Sequence, residues 1–338
     1  SSAASDVYKR QFVYCLLVLR TIRRVEEVAF VPHLAVSVGV LFALASLGVL
    51  IYFIHHVAVS IQADEIVAQV GTELVEEIDH HFPESTDRAT ATVAPSRAAL
   101  PDGFDAGARP IGAARDGYVQ VIDLDALMKL AVEGDMLFRL ERRPGQYVVM
   151  GRPMVMVWPG DRITDELASN IHAAVVLGNR RTASQDVEFA VHQLVEIAVR
   201  ALSPGINDPF TAITCVDRLG SALCRLAPRD MPSPHHFDEH GRLRLVHFTP
   251  TFPGIVDTAF NQIRQHARSN AAVSIRLLET IDVIAGTTLH ADDRAALRRQ
   301  ADMIARGARE GLPEAEDRRA AEERYQAVRR ALMDTGEP

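Results

Sequence analysis

The stretch LAVSVGVLFALASLGVLIYFI, residues 34–54, decides the fold because it runs for 21 residues without a charge. At a rise of about 1.5 Å per residue, a helix of this length would cross a hydrocarbon core of roughly 30 Å. Pro32 stands where a helix can begin without a donor, and Tyr52 and Phe53 place rings at the far end. The sequence therefore predicts a transmembrane helix over residues 33–54.

The segment before this helix is also apolar, but it is short. Residues 12–19 read FVYCLLVL, which is too short to span a bilayer. We interpret 12–20 as the remnant of a truncated helix and 12–54 as the membrane region of a protein that is multi-pass at full length. The residues SSAASDVYKRQ, 1–11, lack periodicity and resemble a translated adaptor, so they are excluded from fold reasoning.

Residues 55–82 change from lipid-like to amphipathic. Apolar residues recur at helical spacing, among them Val59, Ile66, Val70 and Leu74. This pattern predicts a helical stalk whose apolar stripe packs against protein. The next segment, 83–112, is rich in Pro, Ala, Ser, Thr and Gly without a sustained period, which is typical of a linker.

The remainder is predicted to form a small β-rich domain followed by a mainly helical one. Residues 113–180 contain strand-like runs punctuated by turn residues, and a short helix between them is capped by Asp123 and closed at Gly134. We expect a small β-barrel or sandwich here, with a further strand at IHAAVVLG. Residues 181–338 carry helical periodicity over most of their length. The predicted fold class is thus a membrane-anchored α+β protein with a transmembrane helix and stalk.

A break in the helical domain falls at SPGINDP, residues 203–209. Pro204 and Gly205 end the preceding helix, and Asp208 is predicted to cap a new helix with Pro209 at its first position.

Composition and charge exclude several classes of function. The formal net charge of -8 and the interspersed charges argue against a nucleic-acid partner. Cys215 and Cys224 lie nine residues apart on one predicted helix, so no disulfide framework or cysteine metal site is indicated. Adjacent histidines such as His80 and His81 diverge on a helix and do not chelate one ion together. We therefore expect no resident metal and no cofactor.

Polar and charged residues cluster on the strand end at 180, the following helix and the SPGINDP turn. One interpretation is a pocket for an anionic ligand, with arginines binding a carboxylate or phosphate and Asp186 orienting them. The other is a structural network in which Asp186 caps a helix or pairs with Arg181 and Asp208 satisfies backbone amides; we favour this one. The candidate residues are Arg180, Arg181, Gln185, Asp186, Gln193, Arg200, Asn207 and Asp208.

A long motif in this region resembles a known family. The residues FVYCLLVLR, FVPHLAVSV, LIYFIHHVAVSIQ and above all RRTASQDVEFAVHQLVEIAVRALSPGINDPFTA are similar to the bacterial predicted membrane proteins grouped as domain of unknown function 2254. The resemblance covers nearly everything from Phe12 onward and implies further membrane helices upstream, but it implies no activity.

The side of the membrane on which the folded part lies is predicted differently by two arguments. Arg20, Arg23 and Arg24 precede the uncharged run, which by the positive-inside rule places the folded part outside. The family pattern, with an even number of helices and a basic N-terminal side, implies a cytoplasmic location instead, and we follow it.

The function predicted from the sequence is a non-enzymatic assembly or channel-like module, tethered to the bacterial inner membrane and forming a homo-oligomer with the lipid bilayer as its other partner. The alternative is a membrane-anchored enzyme or sensor that binds an anionic small molecule near Arg181, Asp186 and Asp208. A compact pocket would favour the alternative, and a salt-bridged core would favour the assembly module.

Overall fold

The computed structural model describes residues 24–25, 28–29, 33–60, 63–82 and 100–333. The predicted tail at 1–11, the predicted helix remnant at 12–20 and the linker residues 83–99 lie outside the described residues, as does the side chain of Val59. The chain divides into two compact units, Ser1–Glu65 and Ile66–Pro338.

The first unit contains a short hairpin and one long helix. Strand β1 (Arg24–Val25) pairs antiparallel with β2 (Val28–Ala29), and α1 spans His33–Ser60. Leu34 and the described side chains from 37 to 53 are mostly exposed, and all of them are uncharged. Measured over the residues that the structure describes, no helix combines the length and the apolar character needed to cross a membrane.

Ten further helices follow α1 in the described part of the chain. They are α2 (Ala63–His81), α3 (Phe104–Gly107), α4 (Leu124–Glu133), α5 (Asp165–Ala174), α6 (Val187–Ala201), α7 (Pro209–Leu226), α8 (Phe252–His266), α9 (Ala271–Ala285), α10 (Ala291–Gly311) and α11 (Ala315–Met333).

The remaining strands form two open sheets. The strands are β3 (Arg109–Gly112), β4 (Gly117–Ile122), β5 (Leu137–Leu140), β6 (Tyr147–Val148), β7 (Pro153–Trp158), β8 (Val175–Gly178), β9 (His235–Phe237) and β10 (Leu243–Val246). The five-stranded sheet has the order β3-β7-β5-β10-β9, and the three-stranded sheet has the order β6-β4-β8. All pairings in these two sheets are antiparallel except β5 with β10.

Two main cores hold the second unit together. One core lies between the two sheets and is completed by the buried faces of α4 and α5. The other is helical and includes α2 together with α6 to α11. In α2 the predicted apolar stripe is buried at Val70 and Leu74, whereas Ile66 is exposed.

The predicted fold class was wrong. Residues 33–54 are helical as part of α1, but the described residues contain no helix suited to crossing a membrane. The strands of 113–180 do not form a small β-barrel or sandwich of their own, because β4 pairs with β6 and β8 in one sheet while β5 and β7 join another. That second sheet is completed by β9 and β10, which come from the mainly helical segment, so the structure is mixed α/β.

The helix cap predicted at Asp123 was confirmed, whereas the strand predicted at IHAAVVLG was placed too early. Asp123 caps α4 by accepting a hydrogen bond from the Ala126 amide at 2.9 Å. The strand predicted at IHAAVVLG begins only at Val175, since Thr164 caps α5 and the helix runs on to Ala174. The acidic residues after Thr164 favour this helix start.

Candidate functional site

Two arginine–carboxylate pairs stand at the N-terminal end of α6. The Arg181 Nε and Nη2 atoms donate to Asp186 Oδ2 at 3.0 and 2.7 Å. The Arg143 Nη1 and Nη2 atoms donate to Glu188 Oε1 and Oε2 at 2.7 and 2.9 Å. The second pair is bidentate, which is the strongest geometry for a guanidinium and a carboxylate. Each guanidinium in this cluster thus has a carboxylate partner from the same chain.

The backbone places these groups against one another. The turn that carries Arg143 contains Gly145 at a φ of 84°, and a Cβ atom there would collide with the Asp186 carboxylate. The Gln185 side chain pairs with the backbone of Ile122, the last residue of β4. Its Oε1 accepts from the Ile122 amide at 2.9 Å, and its Nε2 donates to the Ile122 carbonyl at 3.3 Å. Glycine and this side-chain pairing therefore fix the distance between the sheet and the start of α6.

Burial dominates the electrostatics of this cluster. Removal from water raises the pKa of the Asp186 carboxyl, and the hydrogen bonds from Arg181 offset this only in part. Asp186 directly precedes α6 but its side chain does not cap the helix, because the carboxylate is bonded to Arg181. His192 adds to the cluster, with its Nδ1 2.7 Å from the Glu188 carbonyl.

A cleft of about 280 Å³ opens beside the two ion pairs. Its walls are largely apolar, and its polar groups include Arg143, Gln185, Asp186 and Glu188. Sites for small molecules in proteins usually measure about 300 to 1,000 Å³, so this cleft is at the small end of that range. Its apolar side chains are Phe82, Ile122, Leu124, Pro144, Val187, Pro232, Phe248 and Pro250.

A pair of histidines lies at one side of the cleft. The Nε2 atoms of His236 and His247 are 2.9 Å apart, and His247 lines the cleft. Burial lowers the pKa of His247 to about 4, and it also lowers the pKa of His236. Both imidazoles are therefore neutral at pH 7, and one of them donates the shared hydrogen bond.

The other histidine pairs are arranged differently. The rings of His80 and His81 meet edge to face at 4.9 Å, and His81 Nε2 lies 3.0 Å from a Glu77 carboxylate oxygen. In the part of the chain that the structure describes, no three His, Cys, Asp or Glu side chains are grouped so that they could hold a metal ion. The side chains of His55 and His56 lie outside the described residues.

The eight residues predicted as one site occupy two places. Arg180, Arg181, Gln185 and Asp186 lie at the start of α6, and Gln193 lies partly buried along it. Arg200, Asn207 and Asp208 lie at or beyond its other end. Since α6 has 15 residues, the two groups are separated by roughly 22 Å along the helix axis.

The second group is explained by local structure. Arg200 pairs with Glu196 one helical turn earlier, at 2.8 Å on the surface. Asn207 has a φ of 50°, which asparagine tolerates better than most residues. Asp208 caps α7 by accepting from the Phe210 and Thr211 amides at 3.1 and 3.2 Å. The Thr211 hydroxyl donates to its other oxygen, and these bonds lower the pKa of Asp208.

Sequence reasoning missed Arg143, Glu188 and His247. None of the three is among the candidate residues predicted from the sequence. The pairing of Arg143 with Glu188 joins residues 45 positions apart, which no local spacing reveals. One available signal was the acidic pair Asp186 and Glu188 next to an apolar helical stripe, because buried carboxylates require partners.

Comparison with known proteins agrees with the motif around SPGINDP. The family model described as predicted membrane protein, domain of unknown function 2254, matches residues 7–282. The chain belongs to this family. The matched range covers α6, the SPGINDP turn and α7, and it begins within the stretch that composition suggested was foreign.

Curated relatives of this chain are longer than the region they share with it. Uncharacterised proteins of Mycobacterium bovis and of Mycobacterium tuberculosis are 31% identical to it over 300 residues, which is 86% of this chain and 55% of theirs. The chain therefore spans about half the length of the curated relatives it matches. No solved structure matches it.

Proposed function

We propose that this protein is a non-enzymatic assembly module at the bacterial inner membrane, and that it assembles as a homo-oligomer. One observation carries this proposal: the outward face of the three-stranded sheet is apolar and aromatic. Tyr118 and Tyr147 meet edge to face at 5.1 Å on neighbouring strands. Val149 and Met150, which directly follow β6, and Val176 on β8 are exposed, with Met150 66% accessible. We call these five residues the sheet patch.

The sheet patch suits a second copy of the chain. Large exposed apolar side chains that lie close together are uncommon on monomers and mark interaction surfaces. The patch lies on a sheet whose outer strands, β6 and β8, have a partner strand on one side only among the described residues. Aromatic residues and methionine are enriched at protein interfaces.

The ion pairs at the start of α6 support a structural role over an anion site. A ligand phosphate or carboxylate would have to displace Asp186 from Arg181 or Glu188 from Arg143. Separating a partly buried pair leaves a charge without a partner, which is costly. We therefore assign the cluster to holding the sheet against the helices.

The cellular location is proposed from the family description, and the side of the membrane is proposed from the helix pattern that the resemblance implies. We propose that the unit beginning at Ile66 faces the cytoplasm. The multi-pass topology implied by the resemblance stays a prediction, as does a channel-like form of this role, which conductance across reconstituted bilayers would test.

The assembly proposal is tested by Val176→Glu. A charge at this position of the sheet patch, on the outer strand β8, should reduce the mass of detergent-solubilised oligomers measured by light scattering. Val283→Glu is the matched control, because Val283 is similarly exposed but lies on α9. Equal masses for the wild type and both variants would refute assembly through the sheet patch.

A sensor or enzyme for an anionic small molecule is the second candidate, and the cleft at Gln185 and Asp186 is the observation that favours it. Citrate and inorganic phosphate are suitable probes. If either raises the melting temperature of the wild type but not of Arg143→Met, the cleft binds anions and the second candidate replaces the first. Asp208 lies outside the cleft lining, so its variants serve as controls.

A further inference from the structure

Helices α8 and α10 pack against each other and run in the same direction. Two ion pairs join them. Arg299 Nη2 donates to both carboxylate oxygens of Asp257 at 2.9 Å, and Arg268, two residues beyond the end of α8, donates to Glu310 Oε2 at 2.8 Å. In each pair the partners are 42 positions apart. Because both helices have the same rise per residue, this separation holds along the face that they share.

The same separation places two arginines opposite each other. Arg264 of α8 and Arg306 of α10 also differ by 42 positions, and they lie between the two ion pairs. Burial and the like charge of Arg306 together lower the pKa of the Arg264 guanidinium, which shows that the two charges act on each other. The positions on either side pair a base with an acid, whereas this position opposes two bases.

Arg264 is held in place by a neutral group. Its Nη2 donates to the amide oxygen of Asn261 at 3.1 Å, and its Nε is screened from solvent without an acceptor. Asp257 offsets the effect of burial on Arg264 only in part, and its carboxylate is bonded to Arg299 and Gln300. No carboxylate in the described part of the chain is therefore paired with Arg264.

Arg306 is exposed, and the acids nearest to it on α10 have other partners. Asp302 and Glu310 lie one helical turn before and after it. Asp302 Oδ1 accepts from the Tyr325 hydroxyl at 2.8 Å, and Glu310 accepts from Arg268. Among the described residues Arg306 forms no ion pair, so its charge is open to a ligand from solvent.

We propose that Arg264 and Arg306 together bind a phosphate group. A guanidinium donates two parallel N–H groups to an oxyanion, and a phosphate dianion has the oxygens and the charge to accept from two guanidiniums. A dianion between them replaces one repulsion with two attractions. Neither arginine lines the cleft beside Arg143, so this is a separate site, and it does not depend on the proposed assembly.

Thermal melts in inorganic phosphate test this site in the full, detergent-solubilised chain. The ionic strength is held constant with sodium chloride, because screening alone weakens the repulsion between the guanidiniums. The melting temperature of the wild type should rise with phosphate concentration and then level off. Arg264→Gln and Arg306→Gln should lose this rise. Arg299→Gln is the matched control and should keep it, because the Arg299 guanidinium is already bonded to Asp257.

A second comparison needs no phosphate. Arg264→Glu and Arg264→Gln have side chains of the same size, but only the first places a carboxylate opposite Arg306. Without phosphate, Arg264→Glu should melt at a higher temperature than Arg264→Gln, and sodium chloride should reduce this difference. A melting temperature of Arg264→Glu equal to or below that of Arg264→Gln would mean that Arg306 does not face this position, which overturns the inference.

The phosphate melts also separate this site from the cleft. A rise that is lost in Arg143→Met but kept in Arg264→Gln places the anion in the cleft and overturns the inference. A rise without a plateau that is equal in all variants is a general effect of the salt on stability and overturns it too. The same holds if the wild type does not respond, or if sodium acetate at equal ionic strength gives an equal rise, because then no phosphate group is selected.

Discussion

At Asp208, a structural role and a ligand-binding role predict opposite effects of substitution on stability. Its carboxylate accepts hydrogen bonds from the Phe210 and Thr211 amides and from the Thr211 hydroxyl. Loss of a helix cap costs about 1 kcal/mol. We expect Asp208→Ala to lower the free energy of unfolding by about that amount.

The conservative variants at this position provide the control. Asp208→Asn and Asp208→Ser keep an acceptor for the amides, so chemical denaturation should show nearly wild-type stability. If Asp208→Asn destabilises the protein as much as Asp208→Ala does, the capping account of this residue is wrong.

His247 makes the stability dependent on pH. Its pKa is about 4 in the folded protein because of burial, whereas an unfolded histidine titrates near 6.5. The unfolded chain therefore binds the proton first. The contribution of neutral His247 is fully present above pH 6.5 and is lost progressively as the pH falls from 6.5 to 4.

Replacement of this histidine should remove that part of the pH dependence. We expect the melting temperature of His247→Asn to fall less steeply between pH 6.5 and 4 than that of the wild type. His240→Asn, at an exposed histidine in the same hairpin region, should keep the wild-type slope. Identical slopes in all three proteins would contradict the burial argument.

Whether the role of a single residue could be predicted depends on how far along the chain its bonding partners lie. The caps at Asp123 and Asp208 could be predicted because the bonded amides lie two or three residues away. The Arg143–Glu188 pair could not, because its residues lie 45 positions apart. The His236–His247 pair could not, because it forms only once β9 has paired with β10.

The C-terminal end of α2 is bound by an arginine from another segment of the chain. The buried Arg229 donates from Nη1 to the carbonyls of Ile78 and Phe82 at 3.1 and 2.5 Å and from Nη2 to Asp79 at 2.6 Å. A guanidinium from the segment after α7 thus binds two carbonyls and a carboxylate at the C-terminal end of α2.

Removal of this guanidinium should be costly. Hydrogen bonds to charged groups contribute about 1.5 to 3 kcal/mol, so we expect Arg229→Met to lower the free energy of unfolding by at least about 2 kcal/mol. Arg225→Met removes a pair to the same carboxylate from an exposed position and should cost less than about 1 kcal/mol. Urea denaturation of both variants measures the difference. Equal losses would show that α2 does not depend on Arg229 for its end.

Element boundaries were predictable where a local signal dominated. Helical periodicity located α6 and α7 because Pro204 and Gly205 break the chain between them. The strand at IHAAVVLG was assigned too early, since its apolar residues suit a buried helix face as well as a strand. Only the Thr164 cap distinguishes the two.

At the scale of the whole molecule, pairing across long separations decided the fold. The parallel pairing of β5 with β10 joins Phe138 to Leu245. More than a hundred residues lie between them, and no local periodicity encodes such a partner. The sheet order was therefore beyond sequence reasoning, whereas the family could be predicted from the motif around SPGINDP.

The proposed assembly requires copies of the chain to contact one another through the sheet patch. A chain of 37.1 kDa that assembles in this way should have a mass in detergent that is a multiple of this value and that falls on dilution. The most direct test is the detergent-corrected mass of the full chain, measured by light scattering across a concentration series. We predict an oligomer at high concentration, and a protein mass of one chain at every concentration would contradict the account.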